Sequence, residues 1–172
     1  EQKGSLVNEE RLRFDFAHFS KLTQDEIEKV EALVNEKIRE NISVDEKRHI
    51  PIAEAKEMGA TALFGEKYGD DVRVIAFDSA YSIELCGGTH VHATGEIGLF
   101  KILSETAIAA GIRRIEAVTA IKADDYINRQ LETLSQIEDI LKNPKDVIKS
   151  VSQLLEQNSL LQKQIEDFQK EK

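Results

Sequence analysis

The sequence predicts an α+β fold in which a mostly antiparallel sheet carries helices on one face and is followed by a helical segment. Several short runs of strand-forming residues lie between turn signals within residues 1–121. Two segments with helical periodicity are interspersed among these runs. From residue 122 onward, glycines and strand-like runs disappear, so residues 122–172 are predicted to form a separate helical region.

The predicted strands are short and are bounded by polar or glycine-containing turns. Residues 5–7 precede the run Arg11–Phe16, in which Leu12, Phe14 and Phe16 alternate with charged residues and therefore share one face. Turn-linked strands of this kind favour antiparallel pairing. The further strand-like runs are Val72–Phe77, Tyr81–Leu85, Ile97–Ile102 and Ile112–Val118.

Two helices are predicted among the strands. Thr23 and Glu26 have the spacing of a capping box, in which each side chain satisfies a main-chain amide of the other residue. The helix that follows is expected to end near Arg39, and its apolar stripe consists of Ile27, Val30, Val34 and Ile38. Pro51 suits the first turn of a shorter helix, and Gly59 lies where its C-terminal cap is expected.

Residues 122–172 are predicted to form helices with one interruption at Asn143-Pro144, because proline disfavours helical backbone at the preceding residue. A heptad pattern in the second part places Val151, Asn158 and Ile165 at a positions and Leu154, Leu161 and Phe168 at d positions. A single Asn at an a position is typical of a two-stranded coiled coil, which would make a homodimer. The alternative is a helix that packs back on its predecessor as a hairpin.

Composition excludes some classes of function. No stretch approaches the ~20 apolar residues that a membrane span needs. The formal net charge of -9 argues against binding nucleic acid through bulk electrostatics, so contacts with RNA would be local. Arg11 and Arg13 share a strand face and are candidates for phosphate contacts, although a solvated face is the simpler explanation.

Two further features bear on the origin of the chain. Its one cysteine, Cys86, fits a reducing, cytosolic compartment. The sequence does not begin with methionine and enters a strand-like run within a few residues. We therefore expect a segment of a longer cytoplasmic protein.

The densest chemical signal is the run Glu84–His90. Cys86 and His90 flank two glycines, whose backbone freedom allows a tight bend that brings the sulfur and the imidazole to one side. Thiolate and imidazole together suit Zn²⁺, but the pair supplies only two ligands. A buried cysteine, or a thiol nucleophile with its base, remain alternatives. Spacing does not complete a site from the other histidines. His92 would point away from His90 if the strand continues, and His18 and His49 are expected to be lone surface or hydrogen-bonded residues beside charged neighbours.

The run Cys86-Gly87-Gly88-Thr89-His90 resembles the signature of the alanyl-tRNA synthetase editing domain, whose fold is shared with threonyl-tRNA synthetases and free-standing editing hydrolases. Other blocks resemble the same family in the same order: Gln2–Val7, Leu12–Phe16, Ala62–Gly69 and Ala110–Glu116. The resemblance covers about two-thirds of the chain. The helical segment resembles, less specifically, the one that follows the editing domain in these enzymes.

The resemblance implies roles for particular residues. Cys86 and His90 would be two of four zinc ligands, and the other two would come from a His-x-x-x-His pair upstream of Gln2, outside this sequence. Gln2 and Arg113 would lie in the editing pocket, and Thr89 would be a candidate to sense a substrate hydroxyl. A frayed terminal position for Gln2 and a salt bridge from Arg113 to Glu116 are the structural alternatives.

The resemblance also implies the substrate. An alanine pocket cannot exclude the smaller glycine and rejects serine only weakly, so a second, hydrolytic site is needed. That site would remove seryl or glycyl groups from the acceptor end of alanine tRNA. The parent enzyme would attach alanine to its tRNA with ATP and Mg²⁺ in an aminoacylation domain outside this sequence, and the present chain alone would be inactive. The alternatives are a helical oligomerisation module without catalysis and a cysteine hydrolase.

Overall fold

The computed structural model describes residues 1–62 and 68–170. It divides into two compact units, residues 1–125 and residues 126–172. Within the described ranges, the first unit contains two antiparallel sheets and the second is helical. The predicted α+β class is confirmed, with the strands divided between two sheets rather than joined in one. The predicted block Ala62–Gly69 lies mostly outside the described residues.

In chain order, the elements are β1 (Gln2–Val7), β2 (Leu12–Ala17), α1 (Gln24–Arg39), β3 (Asp45–Pro51), α2 (Ile52–Glu57), β4 (Asp71–Phe77), β5 (Ser82–Leu85), a 3-10 turn (Thr94–Ile97), β6 (Phe100–Ala109), β7 (Ile112–Thr119), α3 (Ala120–Ile140) and α4 (Val147–Lys170). No helix among the described residues is both long and apolar enough to cross a bilayer.

The larger sheet has the strand order β1-β2-β7-β6, with each neighbouring pair antiparallel. Helix α1 packs on its apolar face, where Ile38, Phe100 and Ala117 are among the buried residues. Leu12 and Phe16 of β2 pack against this core, as the alternation in the sequence predicts, whereas Phe14 of the same predicted face is 37% exposed. The capping box of α1 is confirmed, since the Thr23 side chain accepts from the Glu26 amide and the Glu26 carboxylate accepts from the Thr23 amide.

The smaller sheet has the order β3-β4-β5 and a core of its own, formed by Ala55, Val72, Val74 and Leu85. Helix α2 follows Pro51 and is succeeded by Gly59 with a φ of 81°, which agrees with the predicted short helix and its glycine cap. Strand β3 was not predicted. It has mostly exposed, charged side chains, so no apolar alternation marks it as a strand.

The predicted strand Ile97–Ile102 is wrong at its start. Ile97 ends the 3-10 turn, and β6 begins at Phe100 and continues to Ala109. Gly98 lies between them with a φ of 70°, and a Cβ at this position would come within 3.0 Å of the Ala120 backbone. The close approach and the left-handed backbone together require glycine and separate the turn from the strand.

The second unit confirms the predicted interruption at Asn143-Pro144, since α3 ends at Ile140 and α4 begins at Val147. No residue of α4 is buried within the described chain. The predicted seam is therefore open, with Val151 38% exposed and Leu161 58% exposed. The hairpin and the intermolecular coiled coil both remain predictions.

Candidate functional site

The bend after β5 is built from Cys86 to His90. The Cys86 amide donates to the Arg73 carbonyl over 3.2 Å, so the bend begins directly at the end of the β4–β5 ladder. The Gly88 amide lies 3.4 Å from the Cys86 sulfur and donates to it. Cys86 is half-buried rather than enclosed in the apolar core. Its sulfur therefore lies beside the polar main chain of its own loop.

A cleft of about 620 Å³ opens at this bend. One wall consists of Gly87 to His92, which includes Thr89 and His90. The His90 ring also lies 6.3 Å from the ring of Phe77 at the end of β4. The other lining residues come from β3, the loop before it and the start of β4, and they are Val44, Glu46, Arg48, His49, Asp71, Val72 and Arg73.

Two further histidines line this cleft, which spacing alone did not predict. His92 was expected to point away from His90 if the strand continued, but β5 ends at Leu85 and both histidines line the cleft. His49 was expected to be a lone surface residue. An irregularity in β3 between Lys47 and Ile50, with a φ of 56° at His49, accompanies its place in the cleft wall.

The donors present fit half of a zinc site. Cys86 and His90 offer a thiolate and an imidazole, the ligand types that zinc prefers. Within residues 1–62 and 68–170, no group of three or more His, Cys, Asp or Glu side chains is arranged to hold a metal ion. Zinc binding therefore stays a prediction that needs ligands from elsewhere.

Arg73 connects the bend to Glu46 of β3. Its Nη1 donates to the carbonyl oxygens of Cys86, over 3.2 Å, and of Gly88. Its Nε donates to Glu46 over 2.8 Å, and Arg48 donates to the same carboxylate. These hydrogen bonds from Arg73 and Arg48 lower the pKa of Glu46 to about 2. Arg73 is not among the site residues predicted above, although its position as the lone arginine in the apolar run of β4 is a usable signal.

Gln2 and Arg113 lie on a different sheet but share one rung of it. Gln2 pairs with Phe16, and Phe16 pairs with Arg113, so the three side chains point to the same face. Two strand spacings separate Gln2 from Arg113, which is roughly 10 Å. Gln2 is not frayed, because it belongs to β1 and its Nε2 donates to the Ser5 hydroxyl over 3.2 Å.

Arg113 forms a largely enclosed ion pair with Glu105 rather than the anticipated pair with Glu116. Its Nε and Nη2 both donate to the Glu105 carboxylate, the latter over 2.6 Å, and the Glu105 side chain is 1% exposed. The hydrogen bond from Arg113 lowers the pKa of Glu105. Glu116 instead pairs with Arg11. The role of Arg113 in substrate binding stays a prediction.

The candidate phosphate contacts Arg11 and Arg13 lie near acidic side chains on β2 and β7. Arg11 lies 3.2 Å from Glu116, and Arg13 lies 3.7 Å from Asp15. Asp15 is itself buried and accepts two hydrogen bonds from Arg114, at 2.7 and 2.8 Å. These contacts agree with a structural role, and phosphate binding remains a prediction.

Comparison with known proteins gives the family. Residues 72–116, which contain the bend, match the family described as threonyl and alanyl tRNA synthetase second additional domain. An alanine–tRNA ligase of Cytophaga hutchinsonii is 61% identical over 99% of this chain and 20% of its own length. That of Bacteroides fragilis is 55% identical over 100% of this chain and 20% of its own.

A third relative, the alanine–tRNA ligase of Flavobacterium psychrophilum, is 55% identical over 100% of this chain and 19% of its own length. The chain thus spans about one fifth of the curated relatives it matches. The similarity includes the helical unit as well as the sheets. The chain therefore belongs to the alanyl-tRNA synthetase family, as a segment that corresponds to about one fifth of such an enzyme.

Proposed function

We propose that this chain is the distal part of a zinc-dependent editing domain that hydrolyses seryl or glycyl esters of alanine tRNA. The observation that supports this most directly is the bend Cys86–His90 beside the cleft of about 620 Å³. The bend lies within residues 72–116, the segment that matches the synthetase second additional domain.

The chemistry follows from what an alanine-specific site cannot do. A pocket for alanine admits glycine, and an apolar pocket rejects an added hydroxyl by only ~100-fold. A separate cleft that accepts the mischarged ester would correct both errors. Thr89 lines this cleft and carries a hydroxyl that can form a hydrogen bond with a seryl side chain.

The chain's own residues would bind and orient the ester. Cys86 and His90 would hold zinc together with two ligands from the family's upstream His-x-x-x-His pair. When bound, zinc supplies a Lewis acid that can polarise a carbonyl or a water. Gln2 and Arg113 lie on one rung of the larger sheet, are not among the residues that line this cleft, and are proposed to contact another part of the substrate. The Arg113 guanidinium is already oriented by Glu105.

The wider setting is part of the same proposal. The parent enzyme attaches alanine to its tRNA with ATP and Mg²⁺ in protein biosynthesis, in the cytoplasm. The acceptor end of that tRNA is the partner of the cleft. The net charge of -9 requires that this contact be local rather than a broad basic surface.

A deacylation assay tests the proposal. Seryl-tRNA for alanine is incubated with the present chain and with a protein extended upstream through the His pair. We expect the extended protein to release serine and the present chain to show none above buffer. In the extended protein, Cys86→Ala should slow release by about 100-fold or more, because several kcal/mol of Lewis-acid stabilisation are lost.

Two outcomes of this assay would contradict the proposal. Strong hydrolysis by the present chain would show that the two missing ligands are not needed. Unchanged release of serine by the Cys86→Ala variant of the extended protein would show that the sulfur is not part of the site. The alternative of a cysteine hydrolase that uses Cys86 is tested separately, because it predicts rapid stoichiometric alkylation of that thiol at neutral pH.

The open seam of α4 supports a second candidate function, which is self-association through the helical segment. Leu154 is 53% exposed and Ile165 is 56% exposed, and no residue of α4 is buried. Sedimentation would show a dimer whose register depends on Asn158, so Asn158→Val should change the oligomeric state. A monomer at all concentrations that is unaffected by this substitution would favour the hairpin.

A further inference from the structure

We infer that Arg73 is a positioning residue that holds the Cys86–His90 bend in the shape that presents its metal donors. The purpose of the bend rests on the proposed function, whereas the contacts from Arg73 to the bend stand on geometry alone. Arg73 lies on β4, outside the run that resembles the family signature. Its side chain is 22% exposed, so most of it is fixed against neighbouring residues.

The guanidinium of Arg73 bridges two carbonyl oxygens of the bend. Nη1 donates to the Cys86 oxygen over 3.2 Å and also to the Gly88 oxygen. The main chain of Arg73 meets the bend as well, since its carbonyl accepts from the Cys86 amide over 3.2 Å. Arg73 therefore contacts both the start and the middle of the bend.

Glu46 holds this side chain from the other side. Its carboxylate lies 2.8 Å from the Arg73 Nε, and Arg48 donates to the same group. A guanidinium can satisfy a carboxylate and two carbonyls at once because its donors project in a fixed planar fork. The ammonium of a lysine lacks that fork and is expected to maintain only part of this arrangement.

The two glycines of the bend explain why contacts from Arg73 are needed to hold its conformation. Among the described glycines, positive φ occurs at Gly59, Gly98 and Gly111 and not in the bend. Gly87 and Gly88 therefore do not have the left-handed φ values that fix a glycine turn. Because they have no side chain, their backbone can also adopt many other conformations. An external contact is required to hold the Cys86 sulfur beside the Gly88 amide, where it lies at 3.4 Å.

Backbone order parameters from NMR of the present chain, without metal or tRNA, test whether Arg73 holds the bend. Arg73→Met keeps an apolar stem but removes the fork. We expect the order parameters of residues 87–89 to fall from near ~0.85 towards ~0.6 or less, while those of Val74 and Ile75 stay unchanged. Arg73→Lys should give an intermediate loss. The matched control is Arg48→Met, because Arg48 shares Glu46 but has no hydrogen bond to the bend.

A second measurement concerns the metal itself. In the protein extended upstream through the His pair, Arg73→Met should weaken zinc affinity by about 10–100-fold, as is usual when a residue that orients ligands is lost. Arg48→Met should leave the affinity unchanged. This readout depends on the proposed zinc site, whereas the order parameters do not, so failure of one proposal is distinguishable from failure of the other.

Three results would overturn the inference. One is an unchanged bend in Arg73→Met. Another is an equal loss of order in Arg48→Met. The third is a loss of order spread along β4 with a lower free energy of unfolding, which would show a general structural role. A protein that proves unable to deacylate seryl-tRNA would refute the proposed function but would leave the order-parameter result standing.

Discussion

The two sheets of the first unit use arginine differently. In the larger sheet, Arg114 and Arg113 donate to the carboxylates of Asp15 and Glu105 on adjacent strands. In the smaller sheet, Arg73 pairs with one carboxylate and also donates to main-chain oxygens of a loop. The first arrangement links strands to each other, whereas the second shapes a bend. The same type of side chain therefore joins strands in the larger sheet and holds a loop in the smaller one.

The sheets also have separate cores, which allows each to be perturbed alone. The larger sheet shares its core with α1 through residues such as Ile38 and Ile115. The smaller sheet packs Leu85 and Val74 against α2. The bend begins one residue after Leu85, so the packing of the smaller sheet determines where the candidate metal donors lie.

The largest expected effect is on the smaller core. Leu85→Ala should lower the free energy of unfolding by ~2–5 kcal/mol, because Leu85 is 1% exposed and its removal leaves a cavity. Urea denaturation would measure the change. Phe19→Ala is the control, since a side chain that is 99% exposed should change stability by less than ~0.5 kcal/mol. If Leu85→Ala lowered the free energy of unfolding as little as Phe19→Ala does, this core would not be packed as described.

Lowering the pH is expected to have an intermediate effect on stability, and the response allows the ion pairs of the two sheets to be compared. Hydrogen bonds from arginine lower the pKa of Asp15 in the larger sheet, and lower that of Glu46 in the smaller sheet from 4.5 to about 2. A lowered pKa adds stability that is complete above the unfolded value and is lost as the pH falls towards the folded value. The contribution of these ion pairs to stability should therefore be constant above about pH 4.5 and should decrease towards pH 2.

Substitutions separate the two contributions to this acid response. Glu46→Gln should flatten the part of the decrease that belongs to the smaller sheet, and Asp15→Asn the part that belongs to the larger one. Urea denaturation at several pH values below 5 would measure both. A response to acid that is identical in both variants and in the unsubstituted chain would contradict the assigned ion pairs.

The smallest effect is expected at the start of α1. Thr23→Ala should cost ~1 kcal/mol of stability, since it removes the side chain that caps the helix. Thr23→Ser should retain the cap and most of the stability. Because α1 packs on the larger core, the amide resonances of the bend should not change. Thermal denaturation together with NMR would check both, and a displaced bend would mean that the two cores are coupled.

Much of the fold was predictable because local patterns were unambiguous. The capping box at Thr23, the alternation in β2 and the break at Asn143-Pro144 each depend on neighbouring residues alone. Strand β3 was not predictable from its charged sequence, because what makes it a strand is its pairing with β4. The assignment of strands to two sheets depends on such long-range pairing throughout.

The candidate site was predictable only where a motif was compact. Cys86, Thr89 and His90 lie within five residues, and resemblance to a family signature identified them. Arg73 and Glu46 are distant in sequence, and the pairing of β3 with β4 brings them together. Arg73 then reaches the bend through its hydrogen bond to the Cys86 carbonyl. The charged sequence neighbours of His49 predicted a surface residue. In the structure His49 lines the cleft, within the irregularity of β3 between Lys47 and Ile50.

Zinc content, measured by elemental analysis on a protein extended upstream through the His pair, tests the proposed metal site most directly. We expect one zinc ion per chain, its loss in Cys86→Ala and in His90→Ala, and its retention in His49→Ala, which changes a histidine of the same cleft. Full zinc occupancy in both Cys86→Ala and His90→Ala would show that the bend does not bind the metal.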